Sequence, residues 1–321
     1  MVSPVFHCPA MRYLITGGAG FIGAAIARRL LMRGHEVSII DLPQKIQSAP
    51  PAPQIGVIAA DISHRDGFAN VKGAFDAVIH LAAQTSARVS HEEPERDVDT
   101  NARGTMLLAQ WCVQHGISRV IYSSSMAVYG NPARLPVQET DTPAPVSFYG
   151  VTKLAGEHYL QAHVPLGLEP TIFRLFNVYG PEQDMANLKQ GMLSIYLAYI
   201  HAGEPVRVTG SLDRFRDFVY IDDVVRAFML ALKTEESKGQ TYNLGTGITY
   251  TVRQVLDLLI ESYGYKPAEY PVLKIKDHAG DIFGTRADST KFRRQCGWEP
   301  KVQLADGIGR LIAWLREGVR R

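Results

Sequence analysis

Residues 11–41 read MRYLITGGAGFIGAAIARRLLMRGHEVSIID, and this stretch decides the architecture. "MRYLIT" and "EVSII" are short apolar runs bounded by glycine or polar residues, as buried strands are. Between them "FIGAAIARRLLMRG" is apolar at helical spacing, with Gly34 placed as its stop. Gly17, Gly20 and Gly23 stand three apart at the junction of strand and helix. Without side chains there, backbone N–H groups at the positive helix end can approach a pyrophosphate. Asp41 closes the second strand, where a carboxylate can accept hydrogen bonds from both hydroxyls of a ribose. The same charge repels a 2'-phosphate, so NAD is expected rather than NADP.

The alternation continues through "IGVIAA", "AFDAVIHLAA" and "RVIYSSS", each a short buried run followed by a polar or helical segment. Parallel neighbours need crossover helices, so this order predicts an α/β fold, a doubly wound parallel sheet of the Rossmann type. The second half is more broken. "PTIFRLF" and "QTYNLG" read as further strands, and "VYIDDVVRAFMLALK" as a helix started by Asp222 or Asp223. "GMLSIYLAYIHAG", "TVRQVLDLLIESYG" and "ADGIGRLIAWLREG" read as helices separated by the extended pieces "PVRVTG" and "EYPVLKI". The expected organisation is an NAD-binding Rossmann domain over residues 11–176, which also receives about 216–246. Residues 177–215 and 247–321 would form a smaller mixed α/β substrate-binding cap.

With 46% apolar residues over 321 positions the chain can bury a substantial core. A formal net charge of +2 without a long basic run gives no electrostatic footprint for nucleic acid or an acidic membrane, and points to a small-molecule partner. Cys8, Cys112 and Cys296 lie far apart without metal-ligand spacing, so neither a disulfide framework nor a metal site is expected. The opening "MVSPVFHCPA" has neither the basic start nor the apolar core of a signal peptide, and no segment holds eighteen uninterrupted apolar residues. A cytoplasmic protein, with no membrane association, fits this pattern.

Chemistry is carried by what leaves the carboxyl edge of the sheet. Asp61 and Ile62 follow the third strand; the carboxylate could meet an adenine amino group or cap a local turn, and both readings stand. "HLAAQTS" ends the fourth strand at the edge where ligands sit in this architecture, with His80 expected to be a packed core residue. The fifth strand ends in "SSSMAVYG", from which Ser124 and Ser125 would emerge. "SFYGVTKLAGEHYL" then places Tyr149 and Lys153 four apart, on one helix face. A positive charge beside a phenol favours the phenolate, which makes a proton shuttle of a tyrosine. A hydroxyl, a phenol and an ammonium converging on one substrate oxygen suit proton removal coupled to hydride transfer.

In order, "TGGAGFIG", Asp41, "HLAA", "SSSMAVYG", "YGVTK", "RLFNVYGP" and "RDFVYIDDV" resemble the extended short-chain dehydrogenase/reductases, and among them the nucleotide-sugar epimerases and dehydratases. The resemblance implies Tyr149 as catalytic acid/base, Lys153 on the nicotinamide ribose, and Ser125 bonded to the sugar hydroxyl. The implied NAD contacts are Gly17, Gly20, Phe21, Ile22, Gly23, Asp41, Asp61, Ile62, Leu81, Ala82, Ala83 and Ser123, together with Tyr149 and Lys153. A UDP-sugar would meet Gln84, Ser125, Met126, Asn177, Arg216 and His278, with Asn177 and Arg216 on its diphosphate.

Two departures qualify the resemblance. Met126 and Ala127 stand where the 4,6-dehydratases carry an acidic pair, which disfavours that reaction. "HAGD" puts His278 where many relatives have a phosphate-binding arginine, so a contact there would depend on pH. The family's shared step, oxidation at sugar carbon 4, leads either to 4-epimerisation or, after loss of the carbon 5 proton and of water from carbon 6, to a 5,6-unsaturated sugar. The whole chain resembles the family's 5,6-dehydrating members of antibiotic biosynthesis, so dehydration of UDP-N-acetylglucosamine is expected, with UDP-hexose 4-epimerisation as the alternative. A non-catalytic NAD sensor is disfavoured by the Tyr149 and Lys153 pair. By analogy the chain is a homodimer, paired through the helices of "GTMLLAQWCVQHG" and "YGVTKLAGEHYL".

Overall fold

Apolar runs in the first half form strands where their patterning predicts them. In the computed structural model, which describes residues 9–188, 191–275 and 282–318, the strands in chain order are β1 (Arg12–Thr16), β2 (Glu36–Asp41), β3 (Gly56–Ala59), β4 (Ala77–His80), β5 (Arg119–Ser125), β6 (Glu169–Leu175), β7 (Asn177–Tyr179), β8 (Val206–Thr209), β9 (Phe215–Tyr220), β10 (Thr241–Leu244), β11 (Thr249–Thr251) and β12 (Val272–Ile275). Seven of them form one sheet in the order β10-β6-β5-β4-β1-β2-β3, with parallel pairing at every step.

Alternation along each strand divides the core in two. Ile15, Ile39, Ile79 and Ile121 face one side and join Ile26, Leu30, Val224 and Phe228 from the helices Phe21–Leu31 and Ile221–Ala231. Leu14, Ile40, Val78 and Val120 face the other and join Leu107, Leu108, Trp111 and Leu160 from Gly104–Gln114 and Phe148–Ala162. A parallel sheet covered on both faces requires this arrangement, and it is why its strands read as continuous apolar runs.

The chain order reverses on either side of β1, whose Thr16 lies opposite Ile40 of β2 and His80 of β4. Such a switch point leaves a crevice at the carboxyl ends of the strands. Beyond β6 the chain builds two small sheets, β11-β9-β7 and β12-β8, with the helices Met192–His201, Val252–Tyr263 and Leu304–Gly318. Leu197, Val206, Leu259 and Leu311 belong to the same buried cluster as Ile15 and Phe173, so sheet and cap share one continuous core. The segment around 216–246 divides between them: β9 joins the small sheet, while the helix Ile221–Ala231 and β10 return to the large one.

The helix at Ile221 does not start as expected. Tyr220 occupies the capping position without a side-chain bond, and Asp222 and Asp223 lie in the first turn. Asp223 is fully buried, accepts the N–H groups of Lys301 and Val302, and pairs with Arg226 at 2.7 Å. Its carboxylate fastens the C-terminal segment rather than nucleating the helix. Among the described residues, no helix is long and apolar enough to cross a membrane.

Candidate active site

The helix Phe21–Leu31 begins at Gly20 with no side chain capping it and no acidic residue in its first turn, so its N–H groups and positive end face the crevice. Gly17 has φ +70°, and a Cβ there would lie 2.6 Å from the Ala82 nitrogen and 2.9 Å from the Leu81 carbonyl carbon. A Cβ on Gly23 would lie 2.2 Å from the Gly17 oxygen. Only glycine lets the loop, the helix and the end of β4 close on one another this tightly. Asp41 accepts the Ala19 N–H at 3.0 Å and the Leu42 N–H at 2.8 Å, which holds its carboxylate at the loop. Burial raises its pKa, and those two backbone bonds oppose the rise. An uncapped helix end, a loop closed by glycines and a fixed acid at the end of β2 fit the diphosphate and ribose of NAD.

The neighbouring positions divide. Phe21, Ile22, Leu81, Ala82 and Ala83 are partly exposed around the crevice, and the N–H groups of Leu81 and Ala82 donate to the Thr16 hydroxyl at 3.3 and 3.2 Å. Ser123 is buried, 3.5 Å from the His80 carbonyl oxygen. Exposed Asp61 accepts the Ser63 N–H at 2.9 Å, the turn-capping arrangement, while the Ile62 side chain is packed in the core. His80 is fully buried, as expected. Thr105 donates to the Asn101 carbonyl at 2.6 Å, so its oxygen accepts from His80 Nε2 at 2.9 Å, leaving Nδ1 to accept the Thr16 hydroxyl at 2.6 Å. Burial first, then Lys153, pushes the imidazole down to about 3, consistent with that neutral assignment.

β5 delivers one serine to the crevice, not two. Ser124 is buried and donates to Glu157, whose carboxylate is gripped by Arg174, so it does not emerge at the site as the sequence suggested. Ser125, next in the strand, is partly exposed and hydrogen-bonds the Tyr149 phenol. The helix carrying Tyr149 starts at Ser147, whose hydroxyl accepts the Gly150 N–H at 3.1 Å, and Ser90 Oγ accepts the Tyr149 N–H at 2.9 Å. One turn on, Lys153 is 1% exposed, with its ammonium 4.5 Å from the centre of the Tyr122 ring.

The electrostatics differ from the simple expectation. Burial pushes the Tyr149 phenol up to about 12, opposed by the Ser125 hydrogen bond and reinforced by Asp97. Burial brings Lys153 itself down to about 7, opposed by Glu157 and Asp97. Seven residues before Gly104, Asp97 has no exposure at all, and sequence reading missed it because its neighbours Arg96, Val98 and Asp99 are exposed. The one available signal is its spacing of four from buried Asn101, across the wider helical turn Val98–Arg103.

On the substrate side, Gln84 donates from Nε2 to Asp97 at 2.5 Å and to the Ser86 carbonyl at 3.1 Å, so its amide is already oriented. Partly exposed Met126 receives the Thr285 hydroxyl at 2.9 Å. Asn177 and Arg216 come together in the small sheet, where β7 pairs with β9 and Asn177 donates to the Asp217 carbonyl at 3.1 Å. Burial, with Arg214 adding to it, lowers Arg216 to about 10, which leaves the guanidinium charged at neutral pH. His278 lies outside the described residues. Among those residues no group of His, Cys, Asp and Glu could hold a metal ion.

Comparison with known proteins agrees with this geometry. The model of the NAD dependent epimerase/dehydratase family matches residues 13–245. A UDP-glucose 4-epimerase of Mycolicibacterium smegmatis is 33% identical over 95% of this chain and 99% of its own. The structure of UDP-glucose 4-epimerase from Thermotoga maritima with UDP-glucose is 33% identical, with a TM-score of 0.88 over 96% of this chain and all of that one. The dTDP-glucose 4,6-dehydratase of Streptomyces venezuelae, solved with NAD, is 29% identical, with a TM-score of 0.87 over 96% of this chain and 97% of that one. The chain is therefore an enzyme that belongs to the NAD dependent epimerase/dehydratase family acting on nucleotide sugars.

Proposed function

We propose that this enzyme is a UDP-hexose 4-epimerase. The observation that carries the reading is the Ser125 hydroxyl bonded to the Tyr149 phenol at the carboxyl edge of β5, beside the glycine-closed crevice and one helical turn from Lys153. NAD, held by the loop from Gly17 to Gly23 and by Asp41, supplies a hydride acceptor and later a hydride donor. Ser125 holds the carbon 4 hydroxyl of the sugar while Tyr149, as phenolate, takes its proton. Lys153 binds the nicotinamide ribose, and its positive charge within the buried site favours the phenolate. Asn177 and Arg216 hold the diphosphate, which is fixed while the keto sugar turns over. Tyr149 then returns the proton as the other face of carbon 4 is reduced. Met126 and Ala127 offer no carboxyl group for an elimination, and the UDP-glucose 4-epimerases among the relatives point the same way.

A second reading is 5,6-dehydration of UDP-N-acetylglucosamine, as in tunicamycin-type antibiotic biosynthesis. It is supported by the resemblance of the chain to the family's 5,6-dehydrating members. Incubation with UDP-glucose, UDP-galactose, UDP-N-acetylglucosamine and UDP-N-acetylgalactosamine, followed by proton NMR, separates the two. Interconversion of the gluco and galacto isomers supports the epimerase. A vinylic carbon 6 signal without isomerisation overturns it in favour of the dehydratase. A cytoplasmic homodimer completes the proposal: Phe148, Val151 and Tyr159 are exposed on the helix Phe148–Ala162, and sedimentation at micromolar concentration measures the mass.

A further inference from the structure

Asp97 is a fully buried carboxylate that the mechanism above leaves unused. It stands at the junction of the short helix Pro94–Asp97 with the wider turn Val98–Arg103, and that region packs against the helix carrying Tyr149 and Lys153. Its two oxygens are separately held. Oδ1 accepts Gln84 Nε2 at 2.5 Å, and Oδ2 accepts the Ser90 hydroxyl at 2.6 Å. Ser90 in turn accepts the Tyr149 N–H at 2.9 Å, so two hydrogen bonds lead from the carboxylate to the backbone of the acid/base residue.

Its charge acts on both members of the pair. Lys153 faces Asp97 from one element and Glu157 from its own helix, with His80 of β4 and the Tyr122 ring of β5 also against it. His80 is neutral between Thr16 and Thr105, and Glu157 is committed to Arg174 and Ser124. Tyr149 faces Ser125 and Asp97. Asp97 itself faces Ser90, Gln84, Arg96 and Lys153. Among these carboxylates Asp97 is the one hydrogen-bonded only to neutral donors, with the Arg96 guanidinium acting on it through its charge and not through a bond.

We propose that Asp97 is a positioning residue whose buried negative charge sets the pH window of the Tyr149 and Lys153 pair, while its bonds to Ser90 and Gln84 hold the helix start and the substrate-side amide. The inference rests on the proposed use of Tyr149 and Lys153. A negative charge opposes the phenolate and favours the ammonium. Removing it therefore lowers both pKa values. The two limbs of the pH–rate profile, which belong to the coupled Tyr149 and Lys153 pair rather than to either residue alone, both move to lower pH. A role in packing alone would lower the height of the profile without moving the limbs.

The test uses the NAD-loaded protein and Asp97→Asn, which keeps the shape and can still bond Ser90 and Gln84. Tyrosine labelled with carbon-13 at Cζ is titrated by NMR, with Tyr149 assigned through Tyr149→Phe, and the pH profile of turnover is recorded with the UDP-sugar accepted in the panel above. In Asp97→Asn the Tyr149 titration and both limbs shift to lower pH by roughly one unit. Asp97→Glu, which keeps the charge, restores their positions. Limbs that stay in place in Asp97→Asn, or that move equally in Asp97→Glu, overturn the proposal. If Tyr149→Phe turns over as fast as the unmodified enzyme, the functional reading itself fails; the NMR titration still decides whether Asp97 acts on Tyr149.

Discussion

Replacing Glu157 by Gln removes one half of a buried ion pair directly behind the site. Arg174 donates from Nε to Oε1 at 3.0 Å and from Nη2 to Oε2 at 2.8 Å, and the two side chains are 7% and 2% exposed. Arg174 also donates to the Tyr129 hydroxyl at 2.9 Å, which cannot neutralise it. A glutamine at 157 keeps one acceptor but turns an N–H group toward the guanidinium. Breaking a buried pair from one side costs about 3–5 kcal/mol, because the remaining charge stays desolvated. Against a total stability of about 5–15 kcal/mol this is a large share. With a urea m value of about 3 kcal/mol/M the midpoint falls by about 1–1.7 M. The assay is urea unfolding followed by circular dichroism, with the double variant Glu157→Gln/Arg174→Met beside it. Removing both charges should recover most of the loss. A midpoint for Glu157→Gln within about 0.3 M of the parent, or a double variant weaker than the single one, would refute the view that the uncompensated guanidinium dominates.

Tyr149→Phe removes the proposed proton carrier while leaving the crevice intact, so kcat falls by about 10²–10⁴ and NAD remains bound; an unchanged kcat removes Tyr149 from the chemistry. Gly17→Ala forces a Cβ to 2.6 Å from the Ala82 nitrogen at φ +70°, and the purified protein should lose its NAD, read as a drop in the 260/280 nm absorbance ratio. Full NAD content in that variant would show that the loop is not closed this tightly. His80 is held at about 3, well below the usual imidazole value, so the unfolded chain binds a proton that the native state refuses between those limits. Stability therefore falls as pH drops from about 6.5 toward 3, by about 5 kcal/mol in all, and His80→Gln should flatten that slope in urea titrations at each pH.

Much of the architecture was legible because it rests on short-range patterns. Apolar runs of four to seven residues, the glycines at 17, 20 and 23 and the acid at 41 each report a local requirement, and every strand anticipated from residues 11–125 forms. The Ser125, Tyr149 and Lys153 set was legible for a related reason: a strand end and a helix face are periodic, so spacing places their side chains. Where the reading departed, the cause was burial by distant segments. Ser124 turned inward because Glu157 and Arg174, on another helix and strand, offer it a buried acceptor. Asp223 was drawn from capping by the backbone of Lys301 and Val302.

The pH behaviour of the pair is the clearest case of what the folded arrangement adds. Linear sequence places an ammonium one turn from a phenol, and from that alone the phenol should ionise more easily. In the folded chain desolvation outweighs that attraction, raising Tyr149 and lowering Lys153, and Asp97 enters from 52 positions before Tyr149. Residue type and spacing thus settle which groups meet along one helix or strand, since those contacts follow from backbone period. Dielectric and charge at the site belong to the packed whole, since water is excluded only by segments the chain brings together on folding.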